Sequence, residues 1–186
     1  MAGIITNLRD LVPLRPLTQV ESFRIAELQA HRLVVLGKVA GPPVPDEVIA
    51  MLPRMQVERV ALGDTAGATQ WSHGRWLILL NSNEAATRQR FSLAHEFKHI
   101  LDNPFISVLY PGLSGQSSAQ RAELICDHFA ACLLMPRAWV KHAYCDEGIQ
   151  DVRRLAQRFA VSPKAMRYRL NLIGLGPTTN RCALAA

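Results

Sequence analysis

The sequence predicts an α+β fold, with a small three-stranded sheet packed on two long helices and a short pair of basic helices after them. Three observations carry this expectation. Thr18-Gln-Val-Glu21 and Ser117-Ser-Ala-Gln120 are capping boxes, each opening an apolar stretch of helical length. Between them, Gln56 to Leu80 is rich in strand-forming residues and punctuated by turn signals. Beyond Pro136, Val161-Ser162 joins two amphipathic helical patterns. Helices, then a sheet, then helices is the order of an α+β chain rather than of alternating α/β units.

Taken in order, the first helix runs from Thr18 to about Gly37, with Val20, Phe23, Ala26, Ala30, Leu33 and Val34 on its buried stripe. Gly41-Pro-Pro-Val-Pro45 interrupts the chain, and a short helix follows from Asp46 to about Leu52. Strands are expected at Gln56–Leu62, Ala68–Ser72 and Arg75–Leu80, the last two joined by a turn at His73-Gly74. A long helix then spans Asn83 to about Leu101 and stops at Asp102-Asn-Pro104. Pro111, Gly112 and Gly115 mark 104–117 as a loop. The second capped helix reaches Met135, closed by Pro136, and helices at Ile149–Phe159 and Pro163–Leu172 complete the chain. The expected organisation is an N-terminal helical segment (1–54), a core (55–148) and a basic C-terminal pair (149–186), packed as one domain.

At 186 residues, 49% of them apolar, the chain can bury a core without disulfide staples. Cys126, Cys132, Cys145 and Cys182 form no C-x-x-C pair, so reduced thiols are expected. Met1 to Asp10 lacks the basic and apolar regions of a secretory signal, and no stretch has the length of a membrane span, so a cytoplasmic protein is expected. The net charge of +6 is concentrated after Ile149, where seven bases face the single acid Asp151. Such a segment suits an acidic partner or nucleic acid.

The chemistry lies on the two long helices. His95-Glu-Phe-Lys-His99 matches H-E-x-x-H, which on a helix stacks both imidazoles over one metal ion. Glu96, one residue further round, can approach a metal-bound water without ligating the metal. A catalytic zinc needs a third protein ligand. Glu123 and Asp127 share one face of an otherwise apolar helix, where two carboxylates would be costly to bury without a cation. Glu123 then ligates and Asp127 orients a zinc-bound histidine. His128 competes as a ligand but points off that face, and a solvated Glu123 paired with Arg121 or Arg90 is the bland alternative. Glu96 would take the proton of the zinc-bound water and pass it to a leaving amine. His142 and Tyr144 are candidates for an oxyanion donor. The strand Arg75–Leu80 could bind substrate backbone along a free edge, unless it lies buried between neighbours.

Arg88-Gln-Arg-Phe-Ser-Leu-Ala-His-Glu-Phe-Lys-His99, followed by Glu123 and Asp127-His-Phe-Ala-Ala-Cys-Leu-Leu-Met-Pro136, resembles the ImmA/IrrE family of metallopeptidases. The strand Trp76-Leu-Ile-Leu-Leu-Asn81 is also similar, and the resemblance spans about Val57 to Leu175. It implies a zincin-like, gluzincin-type pair of active-site helices. It also implies His95, His99 and Glu123 as zinc ligands and Glu96 as acid/base. Lys98 stands where many members have Gly and should point away from the metal. The resemblance further implies a helix-turn-helix repressor or antitoxin as substrate, in stress response, mobile-element control or a toxin–antitoxin pair.

Leu155 to Leu170 has the outline of a helix-turn-helix, and Lys164, Arg167 and Arg169 on its second helix would suit phosphate contacts. This supports a second reading, a DNA-binding or toxin-like partner-binding regulator whose metal site is structural or degenerate. No Asn or Gln faces outward there to read bases, so packing or protein binding is expected instead of sequence-specific recognition.

Overall fold

The computed structural model describes residues 3–112 and 115–176. Helix α2 (Gln19–Leu36) opens on the expected capping box: the Thr18 side chain accepts from the Glu21 amide, and the Glu21 carboxylate accepts from the Thr18 amide. Its buried stripe is Ser22, Ala26, Gln29, Ala30, Leu33 and Val34. Val20 lies outside it, 77% exposed, because at 100° per residue it is rotated off the face that Ala26 and Leu33 define. A short helix α1 (Ile4–Arg9), which the sequence did not suggest, precedes it. Arg9 there donates to the carbonyls of Ile100 (2.8 Å) and Leu101 (3.1 Å), so a distant cation satisfies the end of a later helix.

Helix α3 (Glu47–Ala50) leads into strands β1 (Met55–Val60), β2 (Gly67–Ser72) and β3 (Arg75–Asn81). The sheet order is β1-β3-β2, with β1 parallel and β2 antiparallel to β3. His73 and Gly74 both have positive φ, as a two-residue hairpin turn requires. The central place of β3 overturns the expectation that it offers a free edge, since both of its edges are hydrogen-bonded. Among the described residues, β2 pairs only with β3, so the edge strand next to the long helices is β2.

Helices α4 (Ala86–Asp102) and α6 (Ser118–Leu134) are the two long helices, and α6 opens on its capping box at Ser117 and Gln120. The intervening segment is less irregular than expected. A 3-10 turn (Asn103–Phe105) and helix α5 (Ile106–Leu109) occupy its first half, where burial of Leu109 and Tyr110 outweighs Pro104. Phe97 and Phe129, both fully buried with ring centroids 6.2 Å apart, hold α4 against α6. Truncating either would cost about 3–5 kcal/mol. Lys98 is also fully buried, donating to Asp102 (2.6 Å) and Gln29 (2.8 Å), while Tyr110 donates to Asp102 (2.6 Å).

After Pro136 come helix α7 (Arg137–Lys141) and a π turn (His142–Asp146), then α8 (Val152–Phe159) and α9 (Pro163–Leu172). Asp151 and Ser162 cap the last two. These helices pack on the C-terminal half of α6 through Leu134, Met135, Leu155, Phe159, Met166 and Leu170. Arg169 is buried and donates to the Met135 carbonyl (3.0 Å) and to Glu27 (3.3 Å), so it is withdrawn from any phosphate-binding face. Cys126 and Cys132 are free and buried, as expected, whereas Cys145 is disulfide-bonded. Arg181 and Cys182 lie outside the described residues. No described helix is long and apolar enough to cross a membrane.

Candidate metal centre

The four-residue spacing of His95 and His99 on α4 puts both rings on one side of the helix, centroids 4.9 Å apart. Glu123, in the second turn of α6, faces them. His95 Nε2 lies 3.2 Å from Glu123 Oε2, His99 Nε2 lies 3.2 Å from Glu123 Oε1, and the two Nε2 atoms are 3.1 Å apart. A tetrahedral ion bound at about 2.0–2.1 Å sets its donors roughly 3.3 Å apart. Two ring nitrogens and a carboxylate at that spacing need a shared cation or proton between them, so the donor set fits a zinc-type ion.

Asp127, one turn beyond Glu123, lies 2.9 Å from His95 Nδ1. A carboxylate only accepts, so Nδ1 carries the proton and Nε2 is left with its lone pair toward His99 and Glu123. Burial alone would lower the His95 pKa, but the Asp127 hydrogen bond and the surrounding carboxylates outweigh it and hold it above its ordinary value. Burial, then the neighbouring His95, lowers that of His99. The expected reason for two carboxylates on α6 does not hold, however. The Glu123 and Asp127 side chains are 59% and 56% exposed, so they sit at the rim and pay little desolvation.

Glu96 is 9% exposed and shares the cleft with His95, Glu123, Asp127, Arg88 and Gly67. Burial raises its pKa, with His95 opposing and Glu123 reinforcing the shift. Gly67, first residue of β2, makes room for it, since a Cβ there would stand 3.2 Å from Glu96 Cγ. Asn81 fixes that approach by donating to the Gly63 (2.8 Å) and Thr65 (2.9 Å) carbonyls.

Cys126 offers an alternative third donor: its Sγ and one nitrogen of each of His95 and His99 lie within 4.8 Å of one another. Burial pushes that thiol well above its ordinary pKa, and it is the thiolate that binds metal. His128 turns the other way and stacks on Phe23 at 4.4 Å. Arg121 donates to the carbonyls of Leu17 and Pro111, and Arg90 pairs with Asp46, so neither neutralises Glu123. His142 is engaged with Asp146 and Glu147, and Tyr144 packs in the C-terminal cluster; neither lines the cleft. Both lie in the π turn, which a sequence without helical periodicity there could not reveal.

Arg88 is the cleft residue that sequence reasoning passed over. It lies seven residues before His95 on the same face of α4, a spacing that was available as a signal.

Residues 53–171 match the family described as IrrE N-terminal-like domain, nearly two thirds of the chain. Two relatives named radiation response metalloprotease IrrE are similar. The protein of Deinococcus radiodurans is 31% identical over 129 residues, covering 66% of this chain and 38% of that protein. The protein of Deinococcus deserti is 34% identical over 114 residues, 59% of this chain and 40% of that protein. The match thus spans about two fifths of the length of these relatives. A solved structure described as a Mycobacterium tuberculosis transcriptional regulator shares the fold, with TM-score 0.64, 17% identity, and coverage of 91% of this chain and 52% of that one.

Proposed function

The chain belongs to the IrrE N-terminal-like family of metallopeptidases, and on that footing we propose that it is a zinc-dependent endopeptidase. In this reading His95, His99 and Glu123 hold the metal, Glu96 is the general acid/base and Asp127 orients His95. The observation that carries it is the convergence of His95 Nε2, His99 Nε2 and the Glu123 carboxylate at 3.1–3.2 Å, with Glu96 buried beside them.

When bound, zinc would acidify a water and polarise a carbonyl oxygen. The chain's own residues do the rest. Glu96 accepts the water's proton and returns it to the leaving amine, a task served by a carboxyl group whose pKa burial raises. The edge of β2 that is unpaired among the described residues, with Gly67 against Glu96, can take the substrate backbone as an added strand.

The substrate is proposed to be one specific protein, a helix-turn-helix repressor or antitoxin, in a cytoplasmic stress response, in mobile-element control or in a toxin–antitoxin pair. Family resemblance supports this, as does the radiation-response name of the two relatives. The three segments 1–54, 55–148 and 149–186 are taken to act as one unit, which the contribution of α6 to both hydrophobic clusters supports.

Glu96→Gln tests the reading. Gln keeps the size and a hydrogen bond but cannot accept the proton, so cleavage of a partner repressor should fall by about two to four orders of magnitude. Metal content should be unchanged. Equal cleavage by both proteins would remove Glu96 from the reaction.

A further inference from the structure

The metal cleft does not end at His95. A second cavity of about 460 Å³ lies between α4, α6 and α9 and shares Arg88, Phe91 and Asp127 with it. Its walls include Leu124, Val161, Ala165 and Tyr168, and its size falls within the range that takes a substantial ligand group. Leu124 and Tyr168 are 41% and 52% exposed, so apolar surface faces water along this groove. Two cations stand at it, Arg88 and Lys164, and neither has an ion-pair partner among the described residues; Arg88 only lies over the Phe91 ring, 5.8 Å from its centroid. The one acid there, Asp127, is committed to His95.

We propose that the outward face of α9 is a specificity wall of the cleft. The groove receives a bulky apolar side chain of the protein substrate beside the scissile bond, and Arg88 and Lys164 hold an acidic residue next to it. This rests on the endopeptidase reading, because the substrate is the one that reading brings to the metal. It also gives the basic helical pair a role: α8 and the buried face of α9 anchor it to α6, and the outer face of α9 meets the substrate. Continuity with the cleft fixes which side chain enters, and the unpaired cations fix the charge of its neighbour.

The test combines cleavage and binding on the full chain. The partner repressor digested by the wild type should be cut next to a large apolar residue with an acidic neighbour, and variants of that site should be cut in the order of their apolar bulk. Ala165→Trp, which fills the groove, should lower those cuts by about tenfold to a hundredfold, the discrimination expected for burying one large apolar side chain. Cuts beside small residues should persist. Lys164→Glu should shift the charge preference. In parallel, Glu96→Gln protein should bind a fluorescent Phe-Glu peptide more tightly than its Gly-Glu or Phe-Lys counterpart, and lose that preference with Ala165→Trp. Cleavage without apolar preference, or an unchanged profile in Ala165→Trp, overturns the groove while leaving the endopeptidase reading intact. No cleavage, with selective binding that Ala165→Trp abolishes, sustains the groove and overturns hydrolysis. Absence of selective binding overturns the groove, and a salt-resistant duplex DNA complex lost in Lys164→Glu would assign this face to nucleic acid instead.

Discussion

Asp127 and His95 meet through a 2.9 Å contact at Nδ1, and that contact decides which nitrogen of the imidazole faces His99 and Glu123. Removing the carboxylate frees the ring to rotate and to exchange tautomers. Asp127→Ala should therefore weaken zinc binding by about 10–100-fold in a chelator competition. Asp127→Asn, which can still accept through its amide oxygen, should lose less.

Glu123 and Cys126 are rival third donors, and they make opposite forecasts. Glu123 spans both ring nitrogens at 3.2 Å, whereas the Cys126 thiol is buried and its pKa is pushed up. Elemental analysis after dialysis should find Glu123→Ala strongly depleted of zinc and Cys126→Ser close to one zinc per chain. The reverse pattern would transfer the ligand role to the thiol.

Lys98 sits between the two histidines in sequence yet serves the core. Its ammonium is fully buried between Asp102 and Gln29. Lys98→Met strands Asp102 in the interior with Tyr110 alone, and urea unfolding should show a loss of about 3–5 kcal/mol. Replacing Asp102 by Asn in the same chain should recover part of it, because the stranded charge is then removed.

His128 makes stability depend on acidity. The residue is 8% exposed, its Nδ1 is buried without a hydrogen-bond partner, and burial, then the nearby Arg169, depresses its pKa from 6.5 to about 4. The unfolded chain therefore binds a proton below about pH 6.5 that the folded chain refuses until about pH 4. Stability from this group is full above pH 6.5 and falls as the pH drops through that window, by about 3 kcal/mol in all. His128→Phe preserves the stack on Phe23, so unfolding measured from pH 7 to pH 4 should show a smaller acid loss than in the wild type.

The sequence by itself determined the α+β class, both capping boxes, the Ser162-Pro163 start of α9 and the two histidines with Glu96 between them. Each is a local matter: a cap, a turn or a four-residue spacing is decided by neighbours a few residues away. Tertiary structure alone decided that β3 is central and β2 the edge, because strand order depends on pairing across the whole sheet. It alone brought Glu123 and Cys126 to the two histidines, turned His128 toward Phe23, buried Lys98 and Arg169, and carried His142 and Tyr144 away from the cleft. These outcomes depend on which helix faces which, and a one-residue rotation of 100° exchanges a site residue for a core residue without altering the local pattern.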